Sequence, residues 1–245
     1  LVDSSGQKFA AYGDFYLEPV TFNEIPEFLI EALVATEDRR FFQHWGIDPF
    51  SLARAAVVNL KQGKIKQGGS TLTQQLAKNL FLVFDRSVER KVRELLLALW
   101  LEMSFTKEQI LTLYLNRVYF GSGVFGLRAA VLYYFGKPVS ELRLYEAAML
   151  IGILKAPSKY NPIANEQLSR ERTSKVLENM HKSNLITAKN IAEAKNNNKK
   201  YNKFTSAPKS TRYFIDWLLP RVKSYLGEIN EDLIVRTTLD VKLQE

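Results

Sequence analysis

The chain has 245 residues, of which 46% are hydrophobic and 12% aromatic, which is enough apolar material for a sizeable folded core. Its 34 Lys and Arg against 26 Asp and Glu give a net charge of +8, which favours an anionic partner such as nucleic acid, a phosphorylated ligand or an acidic membrane surface. The sequence contains no Cys, which excludes a disulfide framework, a thiolate metal site and a cysteine nucleophile.

The first predicted elements are an N-terminal arm and a helix. Residues 1–22 carry the turn Ser4-Ser5-Gly6 and are predicted to form an extended arm or a short hairpin. Pro26 suits the start of a helix, and apolar residues recur at helical spacing after it. This helix is predicted to end at Glu37 and Asp38, which places two carboxylates near its C-terminus.

A second helix is predicted to begin with Asp48 as its N-cap and Pro49 in its first turn. Apolar residues between 45 and 60 surround too much of this helix for a single buried face, so some of them are expected to be exposed. Residues 61–69 are basic and glycine-rich and predict a mobile loop. Four cations flank the apolar patch and suit shallow insertion among anionic headgroups: Arg54, Lys61, Lys64 and Lys66.

Three further helices follow from capping signals. Thr71 and Gln74 predict a capping box for a helix through Asn79, and Thr106 with Gln109 repeats the pattern ahead of 110–116. Between them, Ser87 is predicted to cap a long helix through Phe105. We expect this long helix to be the deeply buried central helix, because it carries many apolar residues: Val88, Val92, Leu95, Leu96, Leu99 and Trp100.

The C-terminal half is also predicted to be helical. Ser140 is predicted to cap a helix over 141–154, and a terminal helix is predicted over 212–225. The β-branched stretch 234–239 predicts a strand. The expected organisation is therefore an arm at 1–22, a helical domain at 23–200, and a C-terminal helix with the start of a linker at 201–245.

Five stretches combine residues that could carry chemistry. In the first, Glu37 and Asp38 precede Phe41 and His44, and aromatic neighbours can raise a carboxyl pKa by desolvation, as general acid-base chemistry requires. The alternative is an ordinary helix end, in which Asp38 pairs with a neighbouring arginine and His44 caps the helix.

The second stretch is a glycine-rich loop, 68–70, that leads into a capped helix. Backbone N–H groups, hydroxyls and amides at such a helix start can hold a phosphate or sugar hydroxyls. The Gly-Lys-Ser/Thr order of a Walker loop is missing, and a flexible connection to an ordinary helix is the alternative. The polar side chains of this stretch are Ser70, Thr71, Thr73, Gln74, Gln75, Lys78 and Asn79.

The third stretch places Arg86 ahead of Arg90, Lys91 and Glu94 on the long helix. Lys91 and Glu94 share a face at i and i+3 spacing, and such pairs are usually solvated surface ion pairs. Because the following turns are apolar, charge here is costly to bury, which favours a functional role. The fourth and fifth stretches, 107–126 and 146–162, read first as structural segments of capped helix, glycine turn and tight packing.

Together and in this order, the five stretches resemble the signature motifs of the peptidoglycan glycosyltransferase domain of class A penicillin-binding proteins and monofunctional transglycosylases. The match covers about 24–162, and 236–244 resembles the linker that leads into a transpeptidase domain, before which this piece is expected to stop. The resemblance implies a mainly α, lysozyme-like fold. It also implies a large lobe and a small membrane-facing jaw lobe, with a glycan cleft between them.

The resemblance implies a reaction in which a growing strand on undecaprenyl pyrophosphate is transferred, with inversion, to lipid II through a β-1,4 bond. By similarity Glu37 is the general base on the acceptor 4-hydroxyl, and Glu94 is a second essential carboxylate. The same resemblance implies that Lys78, Arg86 and Lys91 face the donor pyrophosphate. The other residues assigned to substrate binding are Asp38, Phe41, His44, Ser70, Thr71, Gln74, Gln75, Asn79 and Arg90. No organic cofactor is expected, and a divalent cation, Mg or Mn, at Glu94 is left open.

The resemblance further implies an anionic membrane as a partner, inhibition by moenomycin, and a place at the extracytoplasmic face of the bacterial plasma membrane. The longest strongly apolar run, 95–101, is far short of the roughly 18 to 20 residues that span a bilayer, so any anchor is expected to lie outside this piece. Segment 82–85 is more apolar than the family pattern, which leaves the conformation around Arg86 open.

Two other functions remain as alternatives. A lysozyme-like hydrolase or lytic transglycosylase would also use two carboxylates on a helical fold, but cleaving an uncharged glycosidic bond needs no cationic clamp. A nucleic-acid-binding module would use the basic stretches 61–66 and 195–203. Because no nucleic-acid motif accompanies these stretches, we expect no nucleic-acid partner.

Overall fold

The computed structural model describes residues 1–6, 17–63, 68–81, 88–196, 211–226, 233–241 and 243, and it is mainly helical. Its α-helices, numbered in chain order, are α1 Glu27–Glu37, α2 Pro49–Gln62, α3 Leu72–Phe81, α4 Val88–Ser104, α5 Lys107–Arg117, α6 Leu127–Phe135, α7 Leu144–Leu154, α8 Pro157–Tyr160, α9 Glu166–Lys182, α10 Ala188–Asn196 and α11 Arg212–Leu226. Short 3-10 turns lie at Phe22–Glu24, Phe41–Gln43 and Val139–Glu141. Within the described ranges, β structure consists of two isolated bridges, so the predicted mainly α class is confirmed.

The core is built around α7, in which every residue from Tyr145 to Ile153 except Glu146 is buried. A helix that is apolar around its circumference belongs in the interior, and α1 and α9 pack against it. Gly152 lets α9 approach closely, because a Cβ at this position would lie 3.1 Å from Cγ of Arg172. This packing brings the C-terminal end of α1 beside α9.

The start of α7 differs from the prediction. Ser140 does not cap it, because Ser140 lies in the 3-10 turn Val139–Glu141. The helix begins at Leu144, with Arg143 as its N-cap, and the Glu146 carboxylate accepts from the Arg143 backbone N–H. The N-cap of α7 therefore lies three residues later than the sequence pattern predicts.

The long helix α4 is not the deeply buried central helix, and that prediction is wrong. Val92 and Leu96 are 50% and 61% exposed, and Trp100 is 47% exposed. The opposite face is buried instead and carries the small residue Ala98. The chain at Gly46 comes close to the backbone of this face: a Cβ on Gly46 would lie 2.9 Å from the Ala98 carbonyl oxygen.

Most other boundaries follow their capping signals. Asp48 caps α2 by accepting hydrogen bonds from the N–H groups of Phe50 and Ser51. The capping boxes predicted at the starts of α3 and α5 are both present. The loop predicted from residue 61 starts later, because α2 continues to Gln62 and ends at Gly63, which has a left-handed φ of 61°. Residues 64–67 of that loop lie outside the described ranges.

The two ends of the chain meet each other. The Val2 N–H donates to the Val235 carbonyl, and the Thr237 N–H donates to the Val2 carbonyl, which forms a parallel bridge in place of the strand predicted at 234–239. Val20, nearer the helical domain, exchanges two hydrogen bonds with the Asn116 side chain. In the described parts of the chain, no helix combines the length and apolarity needed to cross a bilayer.

Candidate active site

Glu37, the last residue of α1, lies at the centre of a group of polar residues from several helices. One carboxylate oxygen, Oε2, is 3.4 Å from Nε2 of Gln75, and the other, Oε1, is 3.8 Å from Nη2 of Arg172. The Glu37 side chain keeps 17% of its surface exposed, so a ligand can reach it. Burial raises the pKa of Glu37 above its ordinary value, against the opposing effects of Gln75, Arg172 and Lys155.

Asp38 faces away from solvent and braces the segment after α1. Its two oxygens lie 3.1 and 3.0 Å from Nε2 of His44, and one also accepts from the Leu72 backbone N–H at 3.0 Å. Both Asp38 and His44 are buried. The predicted substrate contacts of these two residues stay a prediction, because the contacts in the structure join the end of α1 to the first turn of α3 instead.

A second brace fixes the glycine-containing turn that follows His44. The Thr71 hydroxyl donates to the Gly46 carbonyl at 2.5 Å, and Lys107 Nζ donates to the His44 carbonyl at 2.7 Å. The same Lys107 ammonium contacts Glu102 at 2.8 Å and lies 4.4 Å from the Phe41 ring centroid. Phe41 is fully buried, so its role in the structure is to pack beneath the turn.

Glu94 on α4 forms the second charged group. Its side chain is buried, and Lys91 and Arg90 from the preceding turn both contact its carboxylate, with the Arg90 contact at 3.4 Å. Lys91 Nζ also lies 3.3 Å from the Ser70 hydroxyl, while its side chain remains 42% exposed. The i, i+3 pair predicted from spacing is therefore present and holds a partly exposed cation beside the loop before α3.

The fit of a divalent cation at Glu94 can be judged from these contacts. Lys91 contacts Oε1 and Arg90 contacts Oε2, so both oxygens of Glu94 already face positive charge. In the described ranges, no cluster of three or more His, Asp or Glu residues has a metal-binding arrangement. Mg and Mn favour several oxygen ligands, so the residues around Glu94 do not fit such an ion in this arrangement.

The remaining predicted residues lie on α3 or outside the described ranges. Gln74 is buried and its side chain completes the capping box with Thr71. Lys78 and Asn79 are exposed in the second half of α3, and Lys78 lies one turn beyond Gln75 on the same side of the helix. Arg86, together with 82–87 as a whole, lies outside the described residues. The structure thus joins Ser70 to Lys91 at the start of α3, and Gln75 to Glu37 one turn later.

Three residues near Glu37 were missed as site residues: Arg172, Lys155 and Tyr114. Arg172 is 135 positions away along the chain, so no local spacing could connect it with Glu37. Only the packing of α1 and α9 on α7 brings the two together. Tyr114 belongs to the fourth stretch, so the sequence does contain a signal for it. Its neighbours on the apolar face of α5 are core residues, however, so the pattern alone gives Tyr114 no role beyond packing.

These features support a specific kind of chemistry. A carboxylate of raised pKa with access to solvent can accept a proton from a weakly acidic hydroxyl. Exposed cations such as Lys78 and Lys91 can stabilise an anionic leaving group. Glu37 on α1 and Lys91 on α4 contact Gln75 and Ser70, which lie about one turn apart at the start of α3. The Asp38 and Thr71 braces hold this start of α3 in place.

Comparisons with known proteins agree on one family. A family model described as Transglycosylase matches residues 5–181. Penicillin-binding protein 1A of Aquifex aeolicus is 45% identical over 250 residues, covering 99% of this chain and 34% of the relative. Penicillin-binding protein 1A of Pseudomonas aeruginosa is 46% identical over 181 residues, covering 74% of this chain and 22% of the relative. The chain therefore spans about a third or less of the length of these relatives.

A solved structure supports the fold. The crystal structure of Penicillin-binding protein 1A from Haemophilus influenzae superposes with a TM-score of 0.55 at 22% identity, covering 94% of this chain and 24% of that one. At this identity the likeness speaks for the fold alone. The helical architecture described above is thus one that a solved protein also adopts.

Proposed function

The chain belongs to the Transglycosylase family, and on that premise we propose that it is a peptidoglycan glycosyltransferase that polymerises lipid II into β-1,4-linked strands in bacterial cell-wall synthesis. The observation that carries the proposal is the environment of Glu37. Its carboxylate is mostly buried, has a raised pKa and still reaches solvent, and the Lys91 ammonium lies beside Ser70, just before α3. This arrangement suits proton abstraction beside a departing anion.

In the proposed reaction Glu37 acts on the acceptor. Its carboxylate takes the proton of the lipid II 4-hydroxyl while that oxygen forms a bond to the anomeric carbon of the growing strand. The bond from this carbon to the pyrophosphate oxygen breaks at the same time, and the configuration inverts. The proton ends on Glu37, and undecaprenyl pyrophosphate leaves with the bonding electron pair.

The departing pyrophosphate requires positive charge on the donor side. Lys91 and Lys78 supply it in the described part of the chain, and by family resemblance Arg86 adds to it. Glu94 holds Lys91 beside Ser70, so we assign Glu94 to orienting this cation. No step of this scheme requires an organic cofactor. By the same family resemblance, moenomycin is expected to inhibit the reaction.

We also propose that α2 meets the membrane in which both lipid-linked substrates are held, at the extracytoplasmic face of the plasma membrane. Among the residues of α2, all of which the structure describes, Ala55 alone is buried. Large apolar side chains are exposed on and just before this helix: Trp45, Phe50, Leu52, Val57 and Leu60. Arg54 and Lys61 are exposed beside them, which suits an anionic lipid surface.

The test is to incubate the chain separately with purified lipid II and with finished peptidoglycan, and to analyse the products by gel electrophoresis and chromatography. The proposal predicts polymer from lipid II and no cleavage of finished glycan. Release of muropeptides from finished peptidoglycan without polymer from lipid II would instead identify a hydrolase or lytic transglycosylase.

A further inference from the structure

A tyrosine hydroxyl is connected to the proposed catalytic carboxylate through one glutamine side chain. Tyr114 on α5 is 1% exposed, and its hydroxyl donates a hydrogen bond to Oε1 of Gln75 at 3.0 Å. The other end of the same amide, Nε2 of Gln75, lies 3.4 Å from Oε2 of Glu37. Three helices, α5, α3 and α1, thus contribute one residue each to a series of hydrogen bonds that ends at the carboxylate.

The orientation of the Gln75 amide decides what Glu37 experiences. An amide has a donor end and an acceptor end, so a tyrosine that donates to Oε1 leaves the NH₂ group facing the carboxylate. The flipped amide would bring Oε1 against the charged carboxylate and lose a favourable contact. Burial and the nearby charge of Glu37 raise the pKa of Tyr114, so its hydroxyl keeps its proton and remains available as the donor.

We propose that Tyr114 is a positioning residue of the glycosyl transfer, which fixes the Gln75 amide so that its NH₂ group donates to Glu37 and keeps the base ionised. The inference rests on the proposed function, since it takes Glu37 as the base. Tyr114 does not touch substrate in this account. It acts through Gln75 alone.

Other charged groups also face Glu37, and they set the direction of the expected change. Burial raises the pKa of Glu37, the neighbouring Asp38 raises it further, and Arg172 and Lys155 lower it. These groups are unaffected when only the Tyr114 hydroxyl is removed. A weaker hydrogen bond from Gln75 therefore offsets less of the effect of burial, and the pKa of Glu37 rises further.

The experiment compares the pH profile of kcat/KM for lipid II polymerisation in the unmodified chain and in Tyr114→Phe. The variant keeps the ring and removes one oxygen. Loss of a hydrogen bond of ordinary strength predicts that the acidic limb moves up by about 0.5 to 1 pH unit, which is a three- to tenfold lower rate on that limb. The rate on the high-pH plateau is expected to change much less.

Tyr134→Phe is the matched control. Tyr134 on α6 is also buried, and its hydroxyl donates to the Phe120 carbonyl at 2.9 Å, away from Glu37. Both variants remove one buried hydroxyl, so both are expected to lower the melting temperature slightly. Only Tyr114→Phe is expected to shift the pH profile. An equal shift in Tyr134→Phe, or none in Tyr114→Phe, would overturn the proposal.

Two further measurements separate the possible failures. In a Gln75→Leu background, Tyr114→Phe is expected to add no further shift, and a full additional shift would contradict action through Gln75. Carbon-13 NMR titration of the Glu37 carboxyl, assigned by its loss in Glu37→Gln, reports the same pKa change without turnover. If the unmodified chain made no polymer from lipid II, the proposed function would fail, and if Glu37→Gln polymerised normally, Glu37 would not be the base. In either case the NMR titration would still decide whether Tyr114 sets the protonation of Glu37.

Discussion

Replacing Trp45 by Glu is expected to weaken binding of this chain to anionic vesicles by about thirtyfold without unfolding it. Trp45 is 74% exposed. An aromatic side chain offers about 150–250 Å² of surface, so roughly 110–190 Å² is available here. Complete transfer at about 25 cal/mol per Å² would contribute about 3–5 kcal/mol, and shallow insertion is expected to realise about half, or ~2 kcal/mol. A difference of ~2 kcal/mol is about thirtyfold in the partition constant.

The assay is flotation with vesicles of phosphatidylglycerol and phosphatidylethanolamine, beside thermal melts of each variant. Leu60→Glu is expected to act in the same direction, because Leu60 is 86% exposed on α2. Tyr225→Glu is the matched control, since Tyr225 is equally exposed but lies on α11. Substitutions of exposed residues change stability by about 0.5 kcal/mol or less, so all three variants are expected to keep their melting temperature.

Three results would contradict a membrane-binding role of α2. The first is absence of binding by the unmodified chain. The second is an equal loss of binding in Tyr225→Glu, which would make added negative charge the cause and not the α2 surface. The third is a fall of several degrees in the melting temperature of Trp45→Glu, which would show that Trp45 packs within the fold.

The remaining predictions concern charge and close packing. Glu37→Gln is expected to raise the melting temperature at pH 8 but not near pH 4. Because the pKa of Glu37 is raised in the folded state, its charged form opposes folding increasingly as pH rises through that pKa. Thermal melts at several pH values test this prediction. Lys91→Ala is expected to slow polymerisation about a hundredfold. Because Lys91 is 42% exposed, the same change is expected to lower the free energy of unfolding in denaturant by less than about 1 kcal/mol. A loss of stability as large as the loss of activity would indicate a structural role. Glu94→Gln is expected to lose most activity and about 1–3 kcal/mol of stability, and full activity would reduce Glu94 to a structural ion pair. Gly46→Ala, with a φ of 78° and its Cβ 2.9 Å from a carbonyl of α4, is expected to destabilise the fold by about 2–3 kcal/mol in thermal melts, and more than Gly63→Ala, where the space is open.

Local signals predicted the helices well where a cap and an apolar pattern agreed. Asp48 caps α2, and Thr71 caps α3, as expected from the sequence. The prediction for α4 failed because apolar composition does not reveal which face has a partner. In the structure Ala98 is buried and its carbonyl lies close to the turn at Gly46, whereas Trp100 is 47% exposed.

The candidate site was predictable only in part. The contact between Lys91 and Glu94 was predicted correctly, because residues three positions apart on a helix lie on the same face. The contact between Glu37 and Arg172 depends on the packing of three helices and has no local signal. Asp38 belongs to the first of the five candidate stretches, yet its oxygens contact His44 and the start of α3, and no local sequence pattern indicates these contacts.

Turnover of lipid II by Glu37→Gln shows whether Glu37 is the base of glycan polymerisation. This substitution keeps the size of the side chain and a hydrogen-bonding group but removes the proton acceptor. We expect at least about a hundredfold loss in kcat, with a folded protein and lipid II binding close to that of the unmodified chain. Near-normal polymerisation by Glu37→Gln would contradict this role of Glu37.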